Sequence, residues 1–310
     1  MLDMRRLRVL HAVSAHGSVT AAAAALGYSA PAVSQQLAAL EREVGMQLTE
    51  RAGRGIELTT AAGLLVAHTD ALLAQLDAAE ADLAALRDQV AGRVTLAAFP
   101  SAAAAIVPAA WATLAGSAPH VQLDLVEMEP EEALPAAARG EVDLAIAHEY
   151  DLLPRPLDPL FERRELLCDP VCVAVPAAST AVPVNGPLQL RSLASQPFLA
   201  PRSKTSCAEM IQRACARAGF VPRVVARASD FQVLLSLVAA GAGVTLVPRL
   251  AARYVPAGVR LIQPAEPVTR QIFTVSRRGG DRKPAVRVVL DALTAGISAG
   301  VTGECGPGRE

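Results

Sequence analysis

The feature that most constrains this 310-residue chain is a change of rhythm at Gly92. Before it, apolar residues recur at helical spacing. After it, from "GRVTLAAFPS", short apolar runs alternate with helical segments. Strand–helix–strand alternation specifies a parallel α/β sheet, so the chain needs a helical unit and an α/β unit with separate cores. The length agrees with two domains or three. Strands are expected at Arg93–Phe99, Val121–Glu127, Val142–Ala147, Val171–Val175 and Val244–Val247, with a late one in "PAEPVTRQIFTVSRR". Helices are expected at Ala102–Ala115, Glu131–Arg139, Cys207–Ala218 and Phe231–Ala239. A unit of about 200 residues is large for one such sheet, and "LLPRPLDPL" and "SLASQPFLAPRSK" interrupt it. Residues 92–298 therefore read as two α/β lobes with crossing strands, the second lobe at about 169–264. The tail, 299–310, reads as disordered. No internal repeat is visible.

Residues 1–58 read as three helices and a hairpin. The first covers Met4–His16, with Leu7, Leu10 and Val13 at core spacing, and Gly17 ends it. Ser18 caps a short alanine-rich helix, Val19–Leu26, that Gly27 breaks. Ser29 caps the third, with Pro31 in its first turn, where a missing N–H costs little. Gly45 stops it, and "LTERAGRGIEL" reads as a hairpin with a glycine turn. Thr59 then caps a long helix over 59–91. Leu72, Leu76, Ala79, Leu83, Leu86 and Val90 step alternately by four and three, the seam of a helix that pairs with a second copy.

The third helix has two faces. Val33, Leu37, Leu40 and Val44 point one way; Ala30, Pro31, Ser34, Gln35 and Ala38 point the other. The second face is uncharged and small at its start. The preceding turn, "GYS", has the length of a helix-turn-helix. Ser and Gln bond base edges, Gln bidentately to adenine, and a helix N-terminus favours phosphate. Arg51 and Arg54 flank the hairpin turn, where an arginine reaches phosphate or a narrow minor groove. Six arginines against five acids in residues 1–60 leave only a weak positive footprint. The reading rests on geometry rather than charge.

"GSVTAAAAALGYSAPAVSQQLAALEREVGMQLTERAGRGIELTTAAG", Gly17 to Gly63, resembles the DNA-binding region of the LysR-type transcriptional regulators. "GEVDLAI" (Gly140–Ile146) and "AAGAGVTLVP" (Ala239–Pro248) resemble recurring segments of that family's effector domain. The resemblance covers roughly residues 1–298. It implies a winged helix-turn-helix, a linker helix and two lobes like a type II periplasmic binding protein. It implies homodimers paired into homotetramers on an imperfect DNA dyad near a promoter, with RNA polymerase as a further partner. Control by a small molecule between the lobes is implied, with no cofactor and no enzymatic activity. Ser18, Thr20, Ser29, Ala30, Pro31, Ser34 and Gln35, with Arg51 and Arg54 of the wing, are the expected DNA contacts. Ala30 stands where the family commonly has glutamine, Gln35 where arginine is frequent, and Thr49 where phenylalanine is usual.

In open α/β lobes, ligands bind beyond the carboxyl ends of strands. That places Ser101, Glu127, His148, Ser203, Thr205 and Phe231 at the expected effector cleft. His148 reads as a ligand contact or a surface residue, and Asp230 as a cap. Glu127, Glu129 and Glu149 disfavour a simple carboxylate effector, which Arg202 and Lys204 offset. Cys207 and Cys215 share a helix face and read as buried and inert. Five scattered cysteines give neither a disulfide framework nor zinc spacing.

Net charge is −1, which points to neither nucleic acid nor membrane. No stretch reaches a membrane span, and the start lacks an apolar run with a cleavage site, so a cytoplasmic protein is expected. No glycine-rich phosphate loop, G-x-S-x-G or H-E-x-x-H occurs, which argues against the common enzyme classes.

Overall fold

The computed structural model describes residues 2–52, 55–85, 90–179 and 186–300. The N-terminal unit consists of α1 (Met4–His16), α2 (Val19–Leu26), α3 (Ala30–Val44) and the hairpin β1 (Thr49–Ala52)–β2 (Gly55–Leu58). Local chemistry sets the boundaries. Asp3, Ser18 and Ser29 each accept a first-turn N–H, and Gly17, Gly27 and Gly45 close the helices at φ of 66°, 67° and 69°. Those left-handed values are why glycine ends each helix. Leu10, Val13, Ala22, Val33, Leu37, Leu40 and Leu48 make one buried cluster.

The helix α4 (Thr60–Ala85) leaves this unit. Thr59 caps it, as expected, by accepting from Ala62 N–H at 3.2 Å; of the expected span 59–91, residues 86–89, with Leu86 among them, lie outside the described residues. Leu72 and Leu76 stand 45% and 49% exposed on the helix. Val90 is not part of the seam. It follows the helix and packs on the core of the first lobe, because the chain there is already entering the sheet.

The rest is β3 (Gly92–Ala98), α5 (Pro100–Ala105), α6 (Val107–Ser117), β4 (Val121–Glu127), α7 (Pro130–Arg139), β5 (Leu144–Tyr150), β6 (Phe161–Pro176), β7 (Pro197–Pro201), α8 (Ser206–Arg217), β8 (Arg223–Ala228), α9 (Phe231–Ala239), β9 (Thr245–Pro248), β10 (Val259–Ile262), β11 (Thr269–Arg277) and α10 (Pro284–Gly300). The expected single helix over Ala102–Ala115 is two, because Pro108 sits at the start of α6 and offers no N–H to the turn before it. Residues 299–300 belong to α10 rather than to the tail; 301–310 lie outside the described residues.

The sheet is mixed, not purely parallel. Its order is β10-β6-β11-β5-β3-β4, with β9 also on β6. β3 runs parallel to β4 and β5, whereas β11 and β6 are antiparallel to their neighbours. The reason is topological. The 16-residue β6 leaves the first lobe, pairing with β11 up to Pro170 and with β9 and β10 beyond it, and β11 brings the chain back. A separate parallel pair, β7-β8, completes the second lobe. Each lobe buries its own core: Leu96, Phe99, Ile106, Ile146 and Val289 in the first, Val173, Phe198, Met210, Ile211 and Leu246 in the second.

Candidate functional site

On α3 the two faces separate cleanly. Val33, Leu37 and Leu40 are buried while Pro31, Ser34, Gln35 and Ala38 are exposed. Ala30 departs from that group: it is half-buried against the unit's core, so only its edge faces outward. Ser18 Oγ accepts from Ala21 N–H at 3.1 Å and Ser29 Oγ from Ala32 N–H at 3.4 Å. Each hydroxyl thereby spends a lone pair on its cap and keeps its own hydrogen for an outside acceptor such as phosphate. Thr20 is exposed beside them.

The hairpin is held to α3 by Glu41, a residue the sequence pattern did not single out. Its Oε1 accepts from Leu48 N–H at 2.9 Å, Thr49 N–H at 3.2 Å and Thr49 Oγ1 at 3.3 Å. The Thr49 hydroxyl thus adds a bond under the wing. Arg51 pairs through its backbone with Ile56. Its side chain, and all of Arg54, lie outside the described residues.

Between the lobes the chemistry is different. Asp169 of β6 and Arg270 of β11 are cross-strand partners, and both are almost wholly buried. Arg270 donates to Asp169 Oδ2 from Nη2 at 2.6 Å and from Nε at 3.1 Å, and its Nη2 also reaches Ser101 Oγ at 3.1 Å. Asp169 Oδ1 accepts from Leu250 N–H of the second lobe at 2.9 Å. One chain of bonds therefore runs from Ser101, through both crossing strands, into the opposite lobe.

His148 is completely buried, not a surface residue. It sits edge-on to Phe99 and Tyr150, and neither ring nitrogen has a hydrogen-bond partner among the described residues. Burial, then Arg270 and Arg155, hold its pKa well below the usual imidazole range, so the ring is neutral. Tyr150 Oη lies 3.1 Å from Cys207 Sγ. Burial pushes the thiols of Cys207 and Cys215 up to about 11 and about 12, which leaves them protonated and unreactive.

A cavity of about 500 Å³ opens between Glu131 and Glu149 of one lobe and Ser203, Thr205 and Ser206 of the other. Thr205 caps α8 by accepting from Ala208 N–H at 3.2 Å, and Ser203 is exposed at the rim. Glu127 is exposed at the end of β4. Glu129, two residues on, is half-buried, and its carboxyl is raised to about 7 by burial first and then by Glu131, against the pull of Arg270. Phe231 does not join this group. It is half-buried where two core clusters of the second lobe meet, a packing role, and Asp230 caps α9 from beside it. A second cavity, of about 600 Å³, lies between α4 and the first lobe and reaches Arg277 at the end of β11, the opposite end from Arg270.

Sequence reasoning passed over Arg270, Asp169, Tyr150 and Ser206. The signal for two of them was present: Arg270 shares strand parity with Ile272, Thr274 and Ser276, all buried, and Asp169 interrupts the apolar run around "LLCDPVCVAV".

Two family models match the chain. Residues 4–63 match the bacterial regulatory helix-turn-helix protein, lysR family, and residues 87–298 match the LysR substrate binding domain. The chain belongs to the LysR family of transcriptional regulators. Among curated relatives, the HTH-type transcriptional regulator IlvR of Caulobacter vibrioides is 30% identical, over 96% of this chain and 99% of its own. The regulator TfdS of Cupriavidus pinatubonensis is 29% identical, over 95% and 99%. Solved LysR-type structures share the fold: a full-length OxyR point variant from Pseudomonas aeruginosa at TM-score 0.70 and 20% identity, covering 94% of this chain and 95% of that one. Full-length CbnR complexed with its target DNA follows at TM-score 0.56 and 23% identity, covering 95% and 100%. As a LysR-type regulator the chain carries a DNA-binding domain and an effector-binding domain. No helix among the described residues is long and apolar enough to cross a membrane.

Proposed function

We propose that this regulator binds an imperfect dyad near a promoter as a homodimer, paired into a homotetramer, and that a small molecule between the lobes alters the binding. The observation that carries the reading is the exposed, uncharged face of α3 set over a buried core. Ser34 and Gln35 read base edges, Pro31 lets the helix start approach closely, and Ser18, Thr20 and Ser29 hold phosphates. Arg51 and Arg54 reach the adjacent backbone or minor groove. The exposed leucines of α4, Leu72 and Leu76, support pairing with a second copy. Thr205 and Ser206 line the cavity between the lobes, Ser101 is tied to Arg270 of the crossing strands and His148 is buried against Tyr150, which supports an effector there. The protein acts in the cytoplasm by binding rather than catalysis, needs no cofactor besides the effector, and passes its signal to RNA polymerase.

The test is a footprint of the purified regulator on its own neighbouring intergenic region, with and without metabolite extracts. A protected dyad whose extent changes with an extract is expected. Absence of any protection, in either condition, sinks the reading.

A further inference from the structure

We propose that the cavity of about 600 Å³ between α4 and the first lobe is a second small-molecule site, separate from the inter-lobe cleft, for a carboxylate with an apolar body. The carboxylate lies against Arg277 and Arg282, and the body lies against α4.

The charged side comes from one stretch, "RRGGDRK", Arg277 to Lys283, which joins β11 to α10. Gly279 turns the chain there at φ 80°, and both arginines of the pair before it, with Arg282 and Lys283 after it, line the cavity. Four cations thus face three acids, Asp70, Asp143 and Asp158. Each acid already has a partner of its own. Asp70 lies 2.8 Å from His11 Nε2. Asp143 accepts from Thr95 N–H at 3.0 Å and pairs with Lys283 at 3.6 Å. Asp158 accepts from Leu160 N–H at 2.8 Å. Arg278 acts on Glu162, outside the cavity. That leaves Arg277 and Arg282, whose guanidinium groups have neither an ion pair nor a hydrogen bond among the described residues. Arg277 is half-buried and lies against the backbone of Gly140, where a Cβ would stand 2.8 Å from its Nη1. A guanidinium held in this way presents its donor fork ready-made to a carboxylate.

The opposite wall is apolar. Gly63, Val66, Ala67, Asp70 and Leu73 of α4 recur at helical spacing along it, and Leu160 and Val286 of the first lobe close it. Leu72 and Leu76, the exposed leucines of α4, are not part of the lining. The helix therefore has two apolar stripes, one free to pair with a second copy and one turned to the cavity. An apolar wall with a few convergent cations, in a space of this size, suits a small amphipathic anion better than a bare inorganic one.

Position gives the site its use. One wall belongs to α4 and the other to the first lobe, so an occupant fastens the two together. Arg277 also ends the strand that carries Arg270 at its start, roughly 24 Å away along β11. A compound here acts on the joint between linker and lobe, whatever occupies the cleft at the other end of that strand.

The probes are octanoate, octanol, which keeps the apolar body without the charge, and acetate, which keeps the charge without the body. Calorimetry on the full-length protein is expected to detect octanoate, with octanol and acetate each at least about tenfold weaker. Arg277→Gln is expected to weaken octanoate by about tenfold. Ala67→Leu, an exposed position on α4, fills the apolar side and is expected to weaken octanoate and octanol alike. Bound octanoate should slow amide exchange over residues 63–73 and 277–286. Retained DNA binding by both variants shows that they fold.

No binding of octanoate overturns the proposal, as does octanol that binds as tightly. It also falls if neither Arg277→Gln nor Ala67→Leu changes octanoate affinity. Loss of octanoate binding in Ser206→Ala, with both of those variants unaltered, would place the compound between the lobes and leave the joint without a ligand.

Discussion

The outer face of α3 and the floor of the inter-lobe cleft offer a ligand opposite resources. On α3 the proposed contacts are neutral, exposed and adjacent in sequence, and the core behind them does not depend on them. In the cleft they are charged or orphaned, largely buried, and drawn from positions as far apart as Ser101 and Arg270. The difference teaches where mutation is safe. A side chain on α3 can be exchanged at the cost of its own contact. A side chain at the crossing strands carries part of the fold as well.

The sharpest way to break this contrast is Asp169→Ala. It strands the buried Arg270 guanidinium and the Leu250 N–H together, and a loss of about 3–5 kcal/mol in urea unfolding is expected. A loss under about 1 kcal/mol would show the pair to be dispensable.

Glu129→Gln tests the same region with the opposite sign. The folded state holds this carboxyl near 7, above its unfolded value, so the protein binds the extra proton and loses stability as pH rises from about 4.5 to about 7. The variant should therefore be more stable than wild type at pH 8, on the order of 2 kcal/mol, and indistinguishable at about pH 4. Thermal unfolding at the two pH values decides it.

On α3 the expected effects leave the fold alone. Gln35→Ala should cost about 1–3 kcal/mol of discrimination at one base position, read by binding to single-base variants of the footprint, with the salt slope unchanged. Unchanged sequence preference would remove Gln35 from base reading. The smallest effect belongs to Ser29→Ala, about 1 kcal/mol of stability from the lost cap. A larger loss would mean that α3 depends on its start as much as the cleft depends on Asp169.

The same contrast explains what was legible in the sequence. The α1 to α3 limits follow from Ser18, Gly27, Ser29, Pro31 and Gly45, because caps and left-handed glycines act on residues a few positions away. The first half of β6, "FERRELLCDP", was hidden because its apolar alternation is broken by charges. Arg163 there stacks 3.7 Å from the Phe273 ring centroid and pairs with Glu149 and Glu165, satisfactions no local pattern displays. Arg270 was hidden for a related reason. A charge in a strand reads as a solvent face until its partner, 101 residues away, is known. The strand ends of the cleft were readable from strand order, but Phe231 shows that a strand-end position alone does not distinguish a ligand contact from a packing residue.

The pairing of Thr269 with Pro170 has a further consequence. Cross-strand partners in an antiparallel sheet sit about 5 Å apart, so the second lobe begins and ends at neighbouring points and hangs from the first as an inserted loop. A short glycine-containing turn could span that gap. The first lobe with its linker could then persist as a smaller protein, and the second could be exchanged for that of a relative without disturbing the parallel strands beneath it.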